Sequence, residues 1–191
     1  MYPILNILFQ EIDAEKKFLN EIINQENDTI IYTRESFGWK KMKELLNRKK
    51  FTDFNYEKPK TIELTDEEQQ EIIHKINDYD NFTWQSNLFP ISEIYSKDEI
   101  RTYLSKKNKL YYKEIDNISS VIDTSAVVRT KKKHYAAYSF SKPIFFRKNS
   151  FCLFTKSIFT DKAIYDYYNV VFYKKENGKW IEWIEIYSSL N

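Results

Sequence analysis

Apolar residues recur at helical spacing through the first hundred positions. Leu5, Leu8, Phe9 and Ile12 follow an i, i+3, i+4, i+7 pattern, and Phe18, Leu19, Ile22 and Ile23 carry the stripe to about Asn24. Asn27-Asp28 breaks it. Thr29-Ile30-Ile31-Tyr32 then reads as a short strand, because β-branched and aromatic side chains suit a pleated surface. Trp39, Met42, Leu45 and Leu46 mark a second helix, closed by the basic run Arg48-Lys49-Lys50 that suits a helix C-terminus. Residues 51–64 read as loop around Lys58-Pro59-Lys60. Thr65-Asp66-Glu67-Glu68 is a capping box, followed by the buried-face candidates Ile72, Ile73, Ile76 and Tyr79. Ser96-Lys97-Asp98-Glu99 repeats the capping pattern before Ile100, Tyr103 and Leu104.

From about Val121 the chain turns rich in Val, Ile, Tyr, Phe and Thr. Four runs read as strands: 135–146, 150–159, 168–175 and 180–187. Glu176-Asn177-Gly178-Lys179 joins the last two as a hairpin, since Asn-Gly supplies the positive φ of a type I′ turn. With strict alternation, Trp180, Glu182, Ile184 and Ile186 share one face of the last run. Ile181, Trp183, Glu185 and Tyr187 share the other. Helices first and strands second predict an α+β protein, with N-terminal helices packed on a C-terminal antiparallel β-sheet. One domain over 1–191 is expected, mainly helical to 120 and mainly strands over 121–191.

Composition narrows the chemistry. The 191 residues include two Gly, two His and one Cys. Gly38 and Gly178 lie too far apart for a phosphate-cradling loop of either common kind, each of which needs clustered glycines. His74, His134 and Cys152 are scattered, so neither a zinc site nor any other metal or cofactor is expected. Cys152, inside Ser150-Phe151-Cys152-Leu153-Phe154, reads as a small buried hydrophobe. No run of 18 apolar residues is present, so no membrane-spanning helix is expected. Met1-Tyr2-Pro3-Ile4-Leu5 has no basic region and does not read as an intact signal peptide. As it stands the chain is expected in the cytoplasm; a removed lipoprotein signal would place it at the cell envelope.

Charge is uneven. Residues 1–100 carry a net −7 and residues 101–191 a net +9, for +2 overall. The simplest reading is that the two halves face each other and compensate. Arg129, Lys131, Lys132, Lys133 and His134 form a short basic run; at this length it reads as a strand entrance, and nucleic acid is not the expected partner. His74 falls on the outward face of the third helix, beside an i, i+4 pair of Glu71 and Lys75. Glu67 and Glu71 share the solvated face of that helix. Glu182 and Glu185 have opposite parity, so on a regular strand they cannot serve one site. The segment after Phe159 ends in Tyr165, Asp166, Tyr167 and Tyr168. Tyrosine offers contact area at low entropic cost, so these four are the candidate binding residues.

The C-terminal third resembles a known group. Tyr138-Ser139-Phe140-Ser141-Lys142-Pro143-Ile144-Phe145 is similar to an "fSrPiF" segment, and Tyr173-Lys174-Lys175-Glu176-Asn177-Gly178-Lys179-Trp180 to its companion hairpin. Phe82-Thr83-Trp84, with Leu88 and Pro90, resembles the tryptophan-led segment that precedes them. Together these resemble a family of uncharacterised, lipoprotein-like small proteins of Bacteroidetes. The resemblance implies a sheet-forming C-terminal part and a bacterial host. The expected function is a non-enzymatic protein-binding module, an immunity or inhibitor protein for a cognate bacterial toxin. An envelope lipoprotein domain and an enzyme with a site assembled from distant residues are the alternatives.

Overall fold

In a computed structural model the described residues are 3–23, 29–53, 59–86, 88–119, 136–159 and 167–190. The elements run α1 (Pro3–Ile23), β1 (Ile30–Thr33), α2 (Trp39–Leu45), β2 (Lys50–Asp53), β3 (Lys60–Glu63), α3 (Asp66–Asp78), β4 (Ser92–Tyr95) and α4 (Lys97–Ser119). Then come β5 (Ala137–Phe140), β6 (Ile144–Phe146), β7 (Phe151–Phe159), β8 (Tyr167–Glu176) and β9 (Lys179–Leu190). The protein is α+β, with its helices mostly N-terminal and its sheet mostly C-terminal.

The main sheet has the order β4-β1-β5-β7-β8-β9, with β6 also pairing β7. From β5 onward every pairing is antiparallel. Two short N-terminal strands extend it: β1 lies parallel to both β4 and β5. The β4–α4–β5 connection therefore passes over β1, and Ile100 and Leu104 of α4 pack on Ile31 and Ala137. All four residues of β1 are buried, as a strand covered on both faces requires.

Alternation along the long strands divides the core. Cys152, Phe154, Val171, Tyr173 and Trp180 face Phe18, Leu19 and Ile23 of α1. Leu153, Val170, Phe172 and Ile184 face the opposite way, onto Trp39, Met42, Ile72 and Ile76 of α2 and α3 and Phe51 and Ile62 of β2 and β3. Cys152 is buried to 0% exposure, and burial pushes its thiol well above the ordinary range.

Two parts of the chain differ from the sequence expectation. The 51–64 segment contains an antiparallel pairing, with Phe51 opposite Ile62. Each of its four-residue strands buries one apolar side chain, too little for periodicity to register. The 135–146 run is two strands, because Ser141–Pro143 bulges between them. There the Ser141 hydroxyl accepts from the Thr155 N–H (3.1 Å), replacing a ladder carbonyl. The expected Asn-Gly hairpin is present, with φ of 51° at Asn177 and 81° at Gly178. The Thr65 capping box is complete. Its Glu68 carboxylate also takes both arms of the Arg147 guanidinium, at 2.7 and 2.9 Å. That ties α3 to the β6–β7 turn, where Arg147, Lys148 and Asn149 all have positive φ.

Candidate functional site

The candidate site is built on β7, β8 and β9. Strands β8 and β9 pair along their length, but β9 carries two extra residues. Tyr173 faces Glu182 and Phe172 faces Ile184, leaving Trp183 between; Val171 faces Glu185 and Val170 faces Tyr187, leaving Ile186 between. Each extra residue is a bulge, and each reverses the parity of the strand beyond it. Glu182 and Glu185 therefore stand opposite Tyr173 and Val171, two residues apart on β8 and on the same face. The regular alternation expected for 180–187 is thereby corrected, and the two carboxylates share one surface. Trp183, Ile184, Ile186 and Tyr187 all turn to the other face and its core.

Neighbouring strands hold both carboxylates. The Tyr167 hydroxyl donates to Glu185 Oε2 at 2.6 Å, and Asn169 Nδ2 donates to the same oxygen at 3.2 Å. Asn169 Nδ2 also donates to the Tyr167 hydroxyl oxygen at 3.2 Å, closing a triangle. The Tyr173 hydroxyl donates to Glu182 Oε1 at 3.0 Å, and Lys156 Nζ on β7 approaches that oxygen at 3.4 Å. Burial and then the Glu185 carboxylate push Tyr167 up to about 12. Burial and the Glu182 charge push Tyr173 up further still. Both phenols thus stay protonated and keep donating. At one end α1 roofs this face: Phe18 meets Tyr173 and Trp180 edge-on at 5.3 Å, and Glu21 Oε1 accepts from the backbone N–H of Trp180 at 2.6 Å. Glu182 and Glu185 remain exposed.

The tyrosine run is divided by this geometry. Tyr167 is half-buried and joins the carboxylate cluster. Tyr168 points the opposite way, at 9% exposure, between Phe37 and Tyr187 at 5.1 and 5.5 Å. It supplies core rather than surface, because adjacent strand residues face opposite sides. Tyr165 and Asp166 lie outside the described residues, as do Arg129, Lys131, Lys132, Lys133 and His134. His74 is exposed as expected, 3.5 Å from Asp78. Lys156, Asn169, Tyr173, Glu182 and Glu185 do not stand out together in the sequence. A signal for them exists in Trp180-Ile181-Glu182-Trp183-Ile184-Glu185, which repeats every three residues and not every two. A period of three keeps one face only if the strand bulges.

A second polar group lies at the β4 edge. Tyr95 and Tyr103 stack with centroids 4.2 Å apart, and both hydroxyls donate to Glu93 Oε2. Burial pushes Glu93 upward, but the Tyr103 and Tyr95 hydroxyls outweigh it and hold the carboxyl below its ordinary value. An open cleft of about 420 Å³ beside them is lined by Tyr95, Asp98, Glu99, Thr102, Tyr103 and Lys106.

Among the described residues no group of three or more His, Cys, Asp or Glu is placed to hold a metal ion. No described helix is long and apolar enough to cross a membrane. No family model, no curated protein and no solved structure matches the chain.

Proposed function

We propose that the protein is a non-enzymatic protein-binding module whose recognition surface is the carboxylate-bearing face of β8 and β9. The observation that carries this reading is the fixing of Glu182 and Glu185 on one face by Tyr167, Asn169 and Tyr173. Side chains held in place before binding lose little conformational freedom when a partner arrives, and sites on strands are more rigid than sites on loops. Lys156 pairs with Glu182, and Glu185 has no cation among the described residues, so the complement of this surface is a basic group facing Glu185. An immunity or inhibitor protein fits this description: a toxin that acts on nucleic acid carries a basic working face, and an acidic, pre-ordered surface is suited to cover it.

The test is capture of a partner. The tagged chain, expressed in its native host, is expected to retain one protein stoichiometrically, and to co-purify with the product of a neighbouring gene. Retention should weaken in a Glu182→Gln/Glu185→Gln double variant of unchanged thermal stability. Absence of any stoichiometric partner under both conditions would count against the reading.

A further inference from the structure

The two ends of the main sheet are built differently. At one end β9 is interrupted by two bulges, a common guard against pairing with another chain. At the other end β4 pairs with β1 in unbroken register, and Ser92–Tyr95 holds no lysine, proline or bulge. The Ile30 N–H donates to the Ile91 carbonyl at 3.1 Å, and the Arg34 N–H to the Tyr95 carbonyl at 2.8 Å. Alternate residues of a parallel strand turn toward its neighbour, so Ile91, Glu93 and Tyr95 serve β1. The N–H and C=O groups of Ser92 and Ile94 therefore point from the outer edge, where no described strand pairs with them. Ile91, at the start of this edge, is 61% exposed.

Helix α4 adds a second half to this edge. β4 and β5 both run parallel to β1, so the chain must turn back between them. α4 makes that return: Tyr103 stacks on Tyr95 and its hydroxyl donates to Glu93. The open cleft of about 420 Å³ lies along its outer side, where Asp98, Thr102 and Lys106 share one helix face at i, i+4 and i+8. Asp98 and Lys106 are exposed and have no charged partner among the described residues, whereas Glu99 is taken up by the Ser96 cap. The order acid, neutral, base is self-complementary. A helix inverted about Thr102 sets Asp98 against Lys106 of its copy, and Lys106 against the copy's Asp98. A two-fold axis normal to the sheet beside β4 produces this arrangement, and the same rotation lays β4 antiparallel to its copy. We propose that β4 and α4 form a homodimer interface, across which the main sheet of one copy continues into that of the other. A second copy supplies strand, helix and inverted charges together. The interface lies at the opposite end of the sheet from β9, so the dimer leaves both of its Glu182/Glu185 surfaces open.

The test is the mass of the full chain in solution. Sedimentation at rising concentration is expected to show a dimer. Asp98→Lys and Lys106→Asp each set like charges against one another at both symmetric contacts, so each should raise the dissociation constant at least about tenfold. The combined Asp98→Lys/Lys106→Asp variant restores opposite charges and should regain the dimer. Both side chains are exposed, so the variants should keep their fold; an unchanged circular dichroism spectrum checks that. Hydrogen exchange follows the strand pairing itself: the Ile94 amide should become protected as protein concentration rises. A monomer at every concentration would overturn the proposal. An Ile94 amide open in that monomer would leave the edge to another protein, and one protected at every concentration would mean that the chain covers its own edge. A dimer indifferent to both single reversals, or one that the double reversal does not restore, would overturn it equally. Capture of a partner through Glu182 and Glu185 is a separate measurement, and either result can fail while the other holds.

Discussion

Gly38 sits at φ 91°, and a Cβ there would overlap the Thr155 side chain on β7. Both the backbone conformation and the space exclude a larger residue. Gly38→Ala is expected to cost about 3 kcal/mol, the sum of a left-handed penalty and an overpacking penalty, read as a lowered denaturant midpoint. Tyr168 gives the opposite sign. Its hydroxyl is buried without a hydrogen-bond partner, so Tyr168→Phe removes an unsatisfied group and keeps the ring between Phe37 and Tyr187. That variant should gain about 1 kcal/mol in the same measurement; a loss of similar size would show that the hydroxyl has a partner. At this scale much was legible. The Asn177-Gly178 turn, the outward His74 and the buried Cys152 each follow from residue type and local pattern. The faces of Tyr168 and Glu185 did not, because they depend on where a neighbouring strand begins and where it bulges.

Among the elements, α3 shows how one side chain serves two contacts. Glu68 closes the capping box at Thr65 and holds Arg147, and the guanidinium keeps the carboxyl below its ordinary value. Thr65→Ala loses only the cap and should cost about 1 kcal/mol. Glu68→Ala loses the cap and releases the β6–β7 turn, so it should cost more than Thr65→Ala in chemical denaturation. Equal costs would mean that the Arg147 contact adds nothing to stability. The cap was visible in sequence because its two partners are three residues apart. The Arg147 contact was not, because its partners are 79 residues apart. Strand length imposes the same limit. The ten- and twelve-residue β8 and β9 are long enough to show in the pattern, while the four-residue β2 and β3 are not. For β9 the run was found but its faces were not, since parity assumes an uninterrupted ladder.

Across the molecule, the titration of buried tyrosines sets an alkaline limit. Tyr167 and Tyr168 are each pushed up to about 12 from an ordinary value of 10.0, in both cases first by burial. The unfolded chain gives up these protons near pH 10, whereas the folded chain keeps them until about 12. Their contribution to stability is therefore complete below pH 10 and declines as pH rises through 12. Guanidinium melts across that window should show a falling midpoint, with a shallower fall in Tyr168→Phe. The expectation of helices on a sheet holds among the described residues, but two strands of that sheet come from the helical half. Parallel pairing of β1 with β4 and β5 joins segments more than 60 residues apart in the case of β4, and no local pattern announces it.

Cys152 is the one thiol in the chain, and it lies beneath α1 at the centre of the sheet. A modifying reagent can reach it only after the helix lifts or the strands separate. Its rate of alkylation is thus a clock for breathing of the interior, readable from the mass that the reagent adds over time. A ligand seated far from the sulfur that still slowed this clock would reveal how widely the sheet moves as a unit.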